Sequence, residues 1–242
     1  MNQIALITPA PDVIDSLIRN SIIQKFVDRG VLKFHVVNLR NFGSGNYRQI
    51  DDKPFGGGSG MVMMAEPLIN AIESTLDLIG RSKDIKIIYP SPQGETWCQK
   101  FASQFSKIKK LIFICGHYKG IDERVIDRYN IIEYSLGDFV VTNGEIPAMV
   151  MVDSAIRLIP GALNTLDSAL TDTFTNDLLD HPHYTHPRDI NGLKVPDVLV
   201  SGNHKEIENW KQEQREKRTK SKRPDLWKLY KRKLKESEEK HG

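Results

Sequence analysis

The sequence predicts an α/β protein, with a mostly parallel sheet covered by helices on both faces and a small helical domain after it. Three observations carry that expectation. Short β-rich runs alternate with amphipathic stretches over roughly the first 160 residues. Pro160-Gly161 closes the pattern, and residues 162–176 turn small and polar. From His204 onward the chain is helical in pattern and strongly basic. Strands separated by helices need crossover connections, which make neighbouring strands parallel and lay helices on the sheet.

The elements follow in order. IALIT (4–8) is a strand candidate and 12–29 a helix candidate. KFHVVNL (33–39) reads as a second strand, and 40–65 as a loop. In 66–79 the apolar residues Leu68, Ile69, Ile72, Leu76 and Ile79 recur at helical spacing. A strand over 85–90, a helix near 95–107, and strands over 111–116 and near 130–135 come next. A helix over about 146–158 ends at Pro160-Gly161. The expected organisation is a domain over 1–161, a linker over 162–176, and a basic helical domain over 177–242.

Charge is unevenly distributed. Residues 211–235 hold twelve Lys or Arg against three acids, a net +9, while the whole chain is only +3. The rest is therefore −6. Such a segment is either a solvated charged helix or a surface for a polyanion. The start MNQIALITPAPDV lacks a charged leader and a long apolar run, and no apolar run is long enough to span a bilayer. Cys98 and Cys115 show no CxxC spacing. A cytoplasmic, soluble protein with reduced thiols and no membrane partner is the expectation.

Four segments could carry chemistry. PFGGGSGM (54–61) packs four glycines into residues 56–60. That density implies positive φ or close approach by another group, or simply a flexible loop. No GK[ST] follows, so it is no P-loop, and its spacing is not that of a dinucleotide fingerprint. YPSPQG (89–94), CGHYKG (115–120) and EYSLGDFVVTNGE (133–145) each follow a strand candidate. They are ordinary turns, or they converge as a ligand wall at the C-terminal ends of the strands, where open α/β sheets bind ligands. Asp172 in TDTF either caps a helix or serves as a base, and Arg157 lies on the late helix. DHPHYTHP (180–187) holds three histidines, but its prolines keep it extended and no cysteine is near. The expectation there is no metal.

Together these segments, with SLGDFVVTNGEIPAMVMVDSAIRLIPG (135–161) and VPDVLVSGNHKEIENW (195–210), closely resemble the bacterial tRNA (guanine-N1)-methyltransferase family (TrmD) in content and order. The resemblance spans about residues 1–235. It implies a SPOUT-type α/β domain tied in a deep trefoil knot, which periodicity could not suggest because knots are rare. It also implies a homodimer with shared active sites, a tRNA-binding C-terminal domain, and S-adenosylmethionine as methyl donor. The target it implies is N1 of the guanosine 3′ of the anticodon, position 37.

By motif matching, the donor pocket is Tyr89, Ser91 and Pro92, then Gly116, Tyr118 and Gly120. Leu136, Gly137, Asp138, Phe139, Val140, Val141, Asn143, Gly144 and Pro147 complete it. Arg157 and Asp172 match the family's catalytic arginine and aspartate. Lys211, Arg215, Lys217, Arg218, Lys220, Lys222 and Arg223 are the expected RNA contacts. The chain departs from the family where Lys119 replaces an acid linked to a magnesium-dependent proton step, which leaves Mg2+ open. Asn143 and Phe139 replace a common Gly and Tyr. A methyltransferase with another RNA target, and a non-catalytic RNA-binding protein, are the alternatives. TDTF and the basic tail speak against the first, and the joint presence of Arg157 and Asp172 against the second.

Overall fold

The structure is a computed structural model that describes residues 2–19, 22–160, 173–174 and 176–239. The chain divides into two compact units, Met1–Asn164 and Thr165–Gly242.

The first unit is built on five strands: β1 (Asn2–Thr8), β2 (Leu32–Asn38), β5 (Lys86–Thr96), β6 (Lys110–Ile114) and β7 (Ile132–Ser135). Their order is β2-β1-β6-β5-β7, and every pairing is parallel. Alternate side chains of a strand point to opposite faces, so each strand feeds two cores. Ile4 and Leu6 of β1 and Leu111 and Phe113 of β6 enter one. Ala5, Ile7, Ile112 and Ile114 enter the other. Near-continuous apolar strands are what a sheet covered on both faces requires.

The first core is covered by α1 (Pro11–Arg19), α2 (Ile22–Asp28), α4 (Gln99–Phe105) and α6 (Glu145–Ile156). The second is covered by α3 (Ala65–Ile79) and α5 (Glu123–Tyr129). The short strands β3 (Asp51–Asp52) and β4 (Val62–Met63) pair antiparallel within the expected 40–65 loop. The single helix expected over 12–29 is instead two. Asn20 and Ser21, between α1 and α2, lie outside the described residues.

The helix expected from residue 95 begins only at Gln99, because β5 runs on to Thr96. Its register shifts between Pro90 and Glu95. Prolines 90 and 92 cannot donate to a ladder, so residues 91–94 leave the sheet and the chain re-enters it beyond them. Trp97 then clamps the return. Its backbone N–H donates to the Ser135 carbonyl (2.7 Å) and its indole N–H to Ser154 Oγ (2.9 Å). Its ring packs on Phe101, Phe105 and Tyr134. Helix α5 was not expected. Asp122 caps its start by accepting from Arg124 N, and Asn130 ends it in the left-handed region.

In the second unit the Pro-, His- and Gly-bearing stretch holds a hairpin, β8 (Asp189–Ile190) and β9 (Leu193–Lys194). Asn191 and Gly192 turn it with φ of 53° and 86°. Asn-Gly is the strongest short-range hairpin signal in a sequence, so this element was legible though not read. Helices α7 (His204–Lys222) and α8 (Pro224–Glu239) follow, as expected. The buried Thr219 ties the 178–181 segment to α7: its hydroxyl accepts from Leu179 N (2.8 Å) and donates to the Arg215 carbonyl (2.7 Å).

Candidate active site

The 91–94 irregularity of β5 and the loops after β6 and β7 enclose one cavity of about 380 Å³. The volume suits a small organic ligand. All the expected pocket residues line it except Gly137 and Asp138. Gly137 still shapes the wall: its N–H donates to Ser135 Oγ and its carbonyl accepts from Phe139 N. Lys119, noted in the sequence as a departure from the family, lines the cavity too, as do Gln93, His117, Glu123, Glu133 and Thr142, which were not singled out.

The glycines are there because the loops approach one another closely. A Cβ on Gly116 would lie 2.5 Å from Cε2 of the Tyr89 ring. A Cβ on Gly144 would lie 2.5 Å from the backbone N of Gly116, and the Gly144 N–H donates to the Gly116 carbonyl at 2.8 Å. The second and third loops are therefore in backbone contact. Burial, with the negative charges of Glu133 and Glu123, pushes the Tyr89 phenol up to about 12, so it stays a neutral hydroxyl. Tyr118 adopts φ 59° with its ring half exposed at the cavity.

The glycine-rich loop braces the second loop from outside. Gly56, Gly57, Gly58 and Gly60 all have positive φ, as their density suggested. Lys119 N donates to the Met61 carbonyl (3.0 Å), and Met63 N to the Gly120 carbonyl (2.9 Å). Phe55, at the base of this loop, is fully exposed.

Beneath the cavity Glu145 is 1% exposed and ionised. Burial pushes its carboxyl up, but hydrogen bonds from His117, Thr8 and its own backbone N–H outweigh that and hold it below the ordinary carboxylate value of 4.5. A depressed carboxyl stabilises the fold fully above the unfolded value, and that contribution is lost as pH falls through the folded one. We expect Tm to drop between about pH 5 and pH 3, and Glu145→Gln to flatten that part of the curve. Thermal denaturation across that range checks it.

The remaining candidates fall elsewhere. Arg157 follows α6 as its C-cap, is exposed, and lines no described cavity. Asp172 lies outside the described residues. Among the basic residues, Lys217, Lys220 and Lys222 are exposed on α7. Lys211 pairs with Glu208 (2.6 Å), Arg218 donates to the Asp180 carbonyl (3.3 Å), and Arg223 pairs with Asp225 (2.6 Å). Arg215 keeps Nε and Nη2 buried with no hydrogen-bond partner among the described residues. Lys217, Lys220 and Lys222 thus present their charge to solvent, while Lys211, Arg218 and Arg223 have partners within the unit. In the segment expected to be extended, the His181 and His183 rings lie tilted against each other with centroids 4.4 Å apart. Asp180 binds His183 Nε2 at 2.9 Å.

Comparison with known proteins agrees with the early resemblance. The family model described as tRNA (Guanine-1)-methyltransferase TrmD matches residues 2–229. A tRNA (guanine-N(1)-)-methyltransferase of Clostridioides difficile is 43% identical over 223 residues, covering 92% of this chain and 96% of the relative. Proteins of the same name from Bacillus pumilus (45% over 225 residues, 93% and 91% covered) and Shouchella clausii (44% over 237, 98% and 96%) are similar to it as well. A match over nearly the whole chain, joined to a parallel sheet whose three loops close on one cavity, means that the chain belongs to the tRNA (guanine-1)-methyltransferase family of enzymes.

Proposed function

We propose that this enzyme transfers a methyl group from S-adenosylmethionine to N1 of the guanosine 3′ of the anticodon, position 37 of tRNA. The observation that carries the reading is the convergence of the three loops on one cavity. Its walls offer backbone N–H and C=O groups to an adenine edge. Glu123 and Glu133 against the single Lys119 favour a ligand bearing positive charge, as a sulfonium does. Tyr89, Ser91, Pro92, Gly116, Tyr118, Gly120, Leu136, Phe139, Val140, Val141, Asn143, Gly144 and Pro147 are the donor-binding residues in this proposal, with Gly137 and Asp138 shaping the third loop.

When bound, the donor supplies an electrophilic methyl on sulfur. The protein's task lies with the acceptor. Guanine N1 carries a proton, and its lone pair is unavailable until that proton leaves. Asp172 takes the proton. Negative charge then grows on guanine O6, where the Arg157 guanidinium stabilises it, an effect worth about 3 kcal/mol at a preorganised site. The base must leave its stack to reach the cavity, and the walls hold N1 in line with the methyl and sulfur. Lys119 stands in the cavity wall where the family has an acid linked to magnesium. The proton step is assigned to Asp172 without it.

Several architectural features belong to the same proposal. The knot rests on the family match over residues 2–229. A homodimer is supported by α6, a largely apolar helix that leaves Ile146 51% and Val150 46% exposed. The apolar face of a helix belongs in a covered position. The second unit, beginning within the 162–177 boundary, is the tRNA-binding domain. No described helix is long and apolar enough to cross a membrane, and a tRNA substrate places the enzyme in the cytoplasm.

Incubation with labelled donor and tRNA transcripts carrying G or A beside the anticodon tests the function. Label entering only the G transcript is expected; equal labelling, or a mass shift at another nucleotide, overturns the target. Three to seven phosphate contacts from the basic helix predict a log–log salt slope of roughly −3 to −6. A filter-binding titration over about 50 to 200 mM salt measures it, and a flat line removes the basic helix from the interface.

A further inference from the structure

The buried charge that the proposed chemistry leaves unused sits under the donor cavity. Glu145 Oε1 accepts from Thr8 Oγ1 at 2.5 Å, and His117 Nε2 lies 2.8 and 3.0 Å from Oε1 and Oε2. An ionised carboxylate only accepts hydrogen bonds, so both neighbours must donate. Thr8 does so with its hydroxyl proton, while its oxygen accepts from Ala10 N at 2.9 Å. His117 must then carry hydrogen on Nε2. In a neutral imidazole the other ring nitrogen, Nδ1, is left as an acceptor. His117 lines the cavity, and its backbone N–H is held by Met63 Sδ at 3.1 Å.

A tether alone does not need this arrangement. The same two loops are already joined by the neutral Gly144–Gly116 backbone bond. Burying a carboxylate costs several kcal/mol before its partners offset it. Charge is worth burying here if the orientation of the imidazole matters.

We infer that Glu145 is a positioning residue that fixes the His117 tautomer, so that Nδ1 stands in the cavity wall as an acceptor for an N–H or O–H group of the bound ligand. The inference rests on reading the cavity as the donor site. In S-adenosylmethionine such groups are the adenine amine, the ribose hydroxyls and the ammonium. His117 is then a ligand-binding residue, not only a brace.

Calorimetry of the full chain with S-adenosylmethionine tests this, for wild type, Glu145→Gln and His117→Gln. Gln at 117 can still donate an amide N–H to Glu145 but has no acceptor where Nδ1 stood. A purely structural role therefore leaves His117→Gln unchanged. The expected result is donor affinity down about tenfold, as for one lost buried hydrogen bond, with the donor KM up and kcat at saturating donor within about twofold. If Glu145→Gln does not fold, His117→Gln carries the test. Nitrogen-15 NMR of the free wild type should show the His117 ring protonated on Nε2 alone. Unchanged affinity in His117→Gln, or a ring protonated on Nδ1, overturns the inference. Wild type that gives no heat with S-adenosylmethionine overturns the donor-site reading beneath it, an outcome recognisable because it is seen in the unmutated enzyme.

Discussion

Asp172→Asn should leave S-adenosylmethionine binding within about twofold and lower kcat by roughly 10² to 10⁴, the range that a general base supplies. The substitution separates the two roles open to this residue. Asn caps a helix as well as Asp does, so a cap would hardly notice the change. A base is abolished by it, because an amide cannot take a proton from N1. Arg157, the proposed O6 partner, is left in place, so the loss measures proton removal and not oxyanion stabilisation. Single-turnover methylation of a G-bearing transcript, alongside donor calorimetry, reads both quantities. Wild-type kcat in the variant would remove Asp172 from the chemistry.

The second large effect is expected at Gly144→Ala. Gly144 has φ −78° and ψ −10°, a conformation open to any residue, so backbone strain plays no part. The added methyl would sit 2.5 Å from Gly116 N and 3.0 Å from Cys115 C and Cα. These are backbone atoms of a strand end and cannot rotate aside. The second and third loops must part, and the Gly144–Gly116 hydrogen bond goes with them. Overpacking of this kind costs about 1–3 kcal/mol, which for a chain of this size lowers Tm by roughly 2–10 °C. Donor affinity should fall further than stability suggests, because the displaced atoms are the cavity wall. Gly192→Ala is the control: its Cβ meets nothing within 4 Å, and its φ of +86° costs only local strain in the second unit. Equal donor binding in wild type and Gly144→Ala would show that the loops need not touch.

Much of the site was legible because its signal is local. Four glycines in GGGSG announced positive φ, and all four have it. Small residues after three strand candidates announced close approaches, and Gly116 and Gly144 make them. The misreadings have local causes too. Helix α5 is a short helix with one buried residue, Val125, so it has too little apolar face to show a period. The start of α4 was set too early because the pairing that holds 95–96 in the sheet lies on β7, some forty residues away.

Sequence alone determined which residues could be strand, helix or tight turn, since apolar period, caps and glycine act within a few positions of themselves. It also determined where the charge accumulates. Tertiary structure decided which of those pieces meet. Thr8, His117 and Glu145 stand 28 to 137 positions apart and carry no mutual spacing, yet the parallel order β2-β1-β6-β5-β7 sets the ends of β1 and β6 and the start of α6 side by side. Likewise Arg218, basic like its neighbours in the sequence, donates to the Asp180 backbone carbonyl, 38 positions away. A charge on a helix is a local fact, whereas the group that answers it is placed by the packing of the whole unit.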